Sequence, residues 1–88
     1  AIIYPTLGLT GEAGEVANKV KKIIRDGSDK TSEDMVQAIS SEIGDCLWYI
    51  AILADDVGVK LSDIANANLE KLFKRKEKGT LHGSGDDR

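Results

Sequence analysis

The stretch EIGDCLWYIAILADD, residues 42–56, decides how this chain is read. Between Cys46 and Ala54 it is apolar nearly all round. At 3.6 residues per turn its stripe centres on Ile43, Ile50 and Val57, with Glu42 and Asp45 together on one flank. A helix of that kind sits at the centre of an assembly and not on its surface. Two neighbours from one chain cannot surround it well, so the pattern predicts an all-α bundle completed as a homodimer or homotetramer. A loose three-helix monomer is the alternative.

Outward from this segment the same period recurs twice. Upstream, a helix is expected from about Thr6 to Arg25, its stripe running through Leu9, Ala13, Val16, Ala17, Val20, Ile23 and Ile24. Gly27 suits its C-terminus, and Thr31 with Asp34 resembles a capping box for the next helix, about Ser32 to Asp56. Downstream, Ser62 reads as an N-cap for a third helix ending near Lys78, with Gly79 as its stop. Residues 79–88 form a Gly-rich polar tail. There is no repeat and no strand-like alternation.

The chain has 88 residues and a net charge of −3, which makes one domain with a limited core. Cys46 is the single cysteine, so no disulfide can form within the chain, and a lone thiol in an apolar run reads as a cytoplasmic interior. No signal peptide is expected, and the nine residues of CLWYIAILA fall far short of the ~20 that span a bilayer. Acids and bases are interspersed, without the basic face of a nucleic-acid binder. A small anionic ligand held through metal ions is compatible with that balance. The chain starts at Ala1 and not Met, as a fragment or a processed chain does.

Glu12 and Glu15 form a second acidic i,i+3 pair, on one flank of the first helix's stripe, which centres near Val16 and Val20. If the first two helices pack antiparallel by their stripes, the two pairs converge. Four carboxylates together repel unless a cation offsets them. Oxygen ligands with no nearby His or Cys select a hard ion, Mg2+ or Mn2+. The plain alternative is four solvated acids, Glu15 pairing with Lys19 at i,i+4. A di-iron carboxylate bundle needs Glu-x-x-His motifs, and the one histidine, His82, lies in the tail. On the third helix, Asn68 falls within the stripe Leu61, Ile64, Ala65, Leu69 and Leu72, with Lys71 and Arg75 nearly on its side. That face suits a polyphosphate. Alternatively, Asn68 sets bundle register beside two snorkelling cations.

LGLTGEAGEVANKVKKIIRDG, EIGDCLWYIAILADDVGVKLSDIANANLEKLFKR and GTLHGSGDDR together strongly resemble the MazG-like, all-α nucleoside triphosphate pyrophosphohydrolases over nearly the whole chain. The family signature is E-E-x-x-E on one helix and E-x-x-D on the next. Glu12 and Glu15 match the ends of the acidic run, and Glu42 and Asp45 match E-x-x-D. Gly11 stands where many members have the first glutamate of the doublet, which leaves four carboxylates in the motif. The resemblance implies hydrolysis of a (deoxy)nucleoside triphosphate between the α and β phosphates, with a nucleotide-housecleaning role. It implies Mg2+, or Mn2+ as a substitute, on Glu12, Glu15, Glu42 and Asp45, one of the first pair orienting or deprotonating water. Lys71 and Arg75 would neutralise pyrophosphate, Asn68 would sit near metal or sugar, and Tyr49 would reach a phosphate. Trp48 would stack on a base or serve the core, and Gly83, Gly85 and Arg88 would close over phosphates. Family members usually carry a further helix before the Tyr-Pro stretch, which commonly helps to bind the base, and only three residues precede Tyr4 here. The alternative function is a non-catalytic nucleotide-binding or protein-interaction module on the same scaffold, or a purely structural bundle.

Overall fold

The computed structural model describes residues 1–27 and 32–79. The Thr31 half of the expected capping box and the tail residues His82, Gly83, Gly85 and Arg88 lie outside them. The described residues form three helices and no strand: α1 (Ile3–Asp26), α2 (Glu33–Asp56) and α3 (Leu61–Lys78). None of these helices is long and apolar enough to cross a membrane. The chain divides into two units, Ala1–Gly58 with α1 and α2, and Val59–Arg88 with α3.

α1 begins at Ile3, three residues before the expected start, because Pro5 does not break it. The first-turn N–H groups of a helix have no intrahelical partner, so a residue lacking one is tolerated there. Pro5 is fully buried, and Thr6 Oγ1 donates to the Ile2 carbonyl at 2.6 Å. The helix ends as its sequence predicts. Gly27 takes a left-handed φ of 66° and turns its N–H back on the last carbonyls.

Ser32 caps α2, its hydroxyl accepting from the Met35 N–H at 3.4 Å. Glu33 and Asp34 follow in the first turn, where negative charge complements the helix dipole. The Gly58 N–H closes on the Asp55 carbonyl at 3.0 Å, with φ of 78°, and the chain turns into α3. Here Lys60 is the N-cap and not Ser62. Its carbonyl accepts from the Asp63 and Ile64 N–H groups at 3.0 and 3.1 Å, which draws Ser62 into the first turn. Gly79 ends α3 with φ of 73°, as expected, behind Arg75, Lys76 and Lys78, whose charges suit a C-terminus.

α1 and α2 pack as an antiparallel hairpin. Gly8 meets Tyr49 near one end, and Ile23 and Ile24 share an apolar recess of 210 Å³ with Met35 and Ile39 near the other. Pro5, Met35 and Ala54 are the buried residues of this unit. Ile43, Leu47 and Trp48 on α2 remain largely exposed, Leu47 at 53% and Trp48 at 66%. α3 buries none of its residues, and Ile64, Leu69 and Phe73 lie open on it.

Candidate functional site

The antiparallel hairpin decides which acids meet. Glu12 stands midway along α1. Glu42 and Asp45 stand one turn apart on the facing stretch of α2, because an i,i+3 spacing puts both on one side of a helix. One carboxylate oxygen from each of the three lies within 4.8 Å of the others. Glu12 and Glu42 are half-buried and Asp45 is exposed, so the cluster opens to solvent on the Asp45 side.

Glu15 is not one of this group. It lies one turn further along α1 and is exposed. Among the described residues Glu15 forms no ion pair with Lys19, and its exposure is that of a solvated acid. Its charge still reaches Glu12.

The Glu12 carboxyl is held above its ordinary value of 4.5. The first cause is hydrogen bonding to Glu42, followed by burial and then the charges of Asp45, Glu42 and Glu15. Two carboxylates at that separation share a proton more readily than they bear two charges. Glu42 Oε2 is buried without a hydrogen-bond partner. An acceptor lone pair in that position costs free energy until a donor or cation satisfies it. An all-oxygen donor set with one buried, unsatisfied oxygen fits a hard divalent cation, and Glu12, Glu42 and Asp45 are the residues that could hold it.

Tyr49 borders the cluster. It stands one turn beyond Asp45 on α2, and side chains on a helix lean towards its N-terminus, the end on which Asp45 lies. The phenol is held above its ordinary value of 10.0, first by hydrogen bonding to Tyr4, then by the Tyr4 charge, burial, and the charges of Glu12 and Asp45. Tyr4 and Tyr49 meet edge to face, with ring centroids 6.1 Å apart and planes 60° apart.

Gly8 makes this contact sterically possible. A Cβ there would lie 2.6 Å from Tyr49 Cδ1 and Cζ. Gly in a helix interior costs about 1 kcal/mol against Ala. Close approach of a ring to the backbone is the structural reason for one at this position. Neither Tyr4 nor Gly8 emerges as a site residue from the sequence. The available signal was a glycine four residues before Glu12 and a tyrosine four residues after Asp45.

Trp48 is exposed and is not a core residue of the hairpin. The remaining expected site residues belong to α3. Asn68 is exposed there, so it is not the buried amide its place in the stripe suggested. Asn68 and Lys71 line a groove of 460 Å³ with Leu61, Ile64, Ala65 and Ala67, and Arg75 follows one turn on, half-buried.

The family described as the MazG nucleotide pyrophosphohydrolase domain matches residues 5–80. The Gene 37 protein of Mycobacterium phage L5 is 48% identical over 85 residues, 97% of this chain and 75% of that protein. The uncharacterized protein YvdC of Bacillus subtilis (strain 168) is 43% identical over 74 residues, 78% of this chain and 70% of that protein. No solved structure matches.

Proposed function

This chain belongs to the MazG nucleotide pyrophosphohydrolase domain family, and from that premise we propose that it hydrolyses a (deoxy)nucleoside triphosphate to the monophosphate and pyrophosphate. The observation that carries the reading is the meeting of Glu12, Glu42 and Asp45 across the hairpin, with Glu42 Oε2 buried and unsatisfied.

In this reading Glu12, Glu42 and Asp45 hold Mg2+, or Mn2+ in its place. When bound, the metal supplies positive charge to the phosphate oxygens and makes water a better nucleophile at neutral pH. Glu15, exposed beside the cluster, orients the attacking water and accepts its proton. Water adds to the α-phosphorus, the bond to the α–β bridging oxygen breaks, and that oxygen leaves with pyrophosphate. The Tyr49 hydroxyl donates to a phosphate oxygen, and Trp48 offers its exposed face to the base. Lys71, Arg75, Asn68 and Arg88 stay in this reading as contacts to pyrophosphate, sugar and phosphates on the strength of the family resemblance alone.

Self-association as a homodimer or homotetramer belongs to the same reading. The exposed Ile43 and Leu47 support it, because exposed apolar surface beyond isolated side chains marks contact sites. Light scattering on the purified chain reads the mass directly, and a monomer at micromolar concentration would reject it.

The deciding experiment is a nucleotide panel with Mg2+ or Mn2+, assayed separately for pyrophosphate and orthophosphate. Pyrophosphate from at least one nucleotide is expected. Binding in calorimetry with no product would instead identify a non-catalytic nucleotide-binding module.

A further inference from the structure

Three residues of α1 spaced four apart, Tyr4, Gly8 and Glu12, run along one side of the helix. On α2, Tyr49, Asp45 and Glu42 run the other way. The rows meet rung by rung: Tyr4 and Gly8 against Tyr49, then Glu12 against Asp45 and Glu42. The aromatic contact and the acidic cluster are thus neighbouring rungs of one ladder.

A tyrosine ring on a helix surface has free rotation unless something stops it. Two contacts stop this one. The missing side chain at Gly8 leaves a notch that the Tyr49 ring fills so closely that no Cβ would fit beneath it. The Tyr4 ring meets Tyr49 edge to face. Tyr4 itself is 73% exposed, so burying its own ring in a core does not account for its place. Aromatic pairs prefer this edge-on arrangement, which fixes relative orientation as well as distance.

We propose that Tyr4 and Gly8 are positioning residues for Tyr49: Gly8 provides the seat for its ring, Tyr4 fixes the ring's rotation, and together they hold the ring on the rung next to the acidic cluster, so that its hydroxyl donates to a phosphate of the nucleotide. The inference rests on the reading of the acidic cluster as the phosphate end of a nucleotide site. Neither Tyr4 nor Gly8 touches substrate. Their effect on rate passes through Tyr49.

The test compares Tyr4→Leu, Tyr4→Phe, Gly8→Ala, Tyr49→Phe and the double variant Tyr4→Leu/Tyr49→Phe. Pyrophosphate release is measured from the best nucleotide of the panel with Mg2+, and circular dichroism checks each fold. A misplaced group costs on the order of ten-fold or more in rate. Tyr49→Phe, Tyr4→Leu and Gly8→Ala are each expected to lower kcat by about that factor. Tyr4→Phe keeps the ring contact and recovers most of the loss. The double variant is no slower than Tyr49→Phe, since a ring without its hydroxyl has nothing left to deliver. Independent, multiplying losses overturn the proposal, and so does a wild-type rate in Tyr4→Leu beside an impaired Tyr49→Phe.

A structural readout covers the remaining outcomes. A wild-type rate in Tyr49→Phe overturns the proposal, because the Tyr49 hydroxyl then delivers nothing to the phosphate; if no nucleotide turns over, the catalytic reading of the site fails. The positioning of the ring is then judged by nuclear Overhauser contacts between the Tyr49 ring and the Gly8 Hα. Their loss in folded Tyr4→Leu upholds it, and undiminished contacts there overturn it.

Discussion

Glu12 on α1 faces Glu42 on α2 closely enough that their hydrogen bonding is the first cause of the raised Glu12 pKa. The pair is therefore strained as two anions and relieved by one proton or one cation. Most of the testable behaviour of this chain follows from that relationship.

The first prediction concerns pH. A carboxyl whose folded pKa lies above its ordinary value favours the folded state while protonated. That contribution is complete below 4.5 and is lost as the pH rises through the raised value. With EDTA present, the melting temperature of the native chain should fall relative to that of Glu12→Gln as the pH rises from 4.5 upward. Saturating Mg2+ or Mn2+ should remove the difference. Parallel melting curves for the two proteins across that window would reject the assignment.

Glu42→Gln should separate stability from activity. The new amide can donate to the Glu12 carboxylate and removes one charge, which should raise the melting temperature of the metal-free protein. The same change removes a ligand oxygen and should abolish turnover with the helical spectrum intact. Asp45→Asn should also abolish turnover. Retention of more than a few per cent of the rate in either variant would place the chemistry elsewhere.

Metal binding should distinguish the three clustered acids from Glu15. A cation that binds only the folded state raises its stability by about 2.7 kcal/mol at a hundred times its Kd. Mn2+ should raise the native melting temperature in this way, and Asp45→Asn should lose the shift. Glu15→Gln should keep most of the shift and still lose rate, because Glu15 stands outside the cluster. A Glu15→Gln protein that no longer responds to Mn2+ would make Glu15 a ligand.

Met35 tests the packing that brings the acids together. It is buried and lines the apolar recess between α1 and α2. Met35→Ala should cost about 2 kcal/mol in urea unfolding, the low end for a buried methionine, since the recess already leaves room to relax. A loss below about 0.5 kcal/mol would mean that this end of the hairpin contributes little to stability.

Much of this was legible in the residues because it is local. Gly27 and Gly79 stop their helices in the left-handed conformation that glycine adopts without a Cβ penalty. The spacing of Glu42 and Asp45 alone puts them on one side of α2. Other boundaries depended on local competition. Pro5 is accommodated in the first turn of α1, and Lys60, with no capping side chain, takes the N-cap that Ser62 was expected to hold.

By itself, then, the sequence determined three helices, their stops, and two acidic pairs fit to meet across an antiparallel hairpin. Only the tertiary structure decided that Glu12 joins Glu42 and Asp45 while Glu15 stays outside, and that Tyr49 settles over Gly8 against Tyr4. The reason is physical. Helical periodicity relates residues within a few positions of each other, so it places side chains around one axis. Which of them touch a neighbouring helix depends on the rotation of each helix about its own axis and its sliding along the other. Those are set by contacts distant in sequence, among them a ring in the notch of a glycine and the burial of Pro5, Met35 and Ala54.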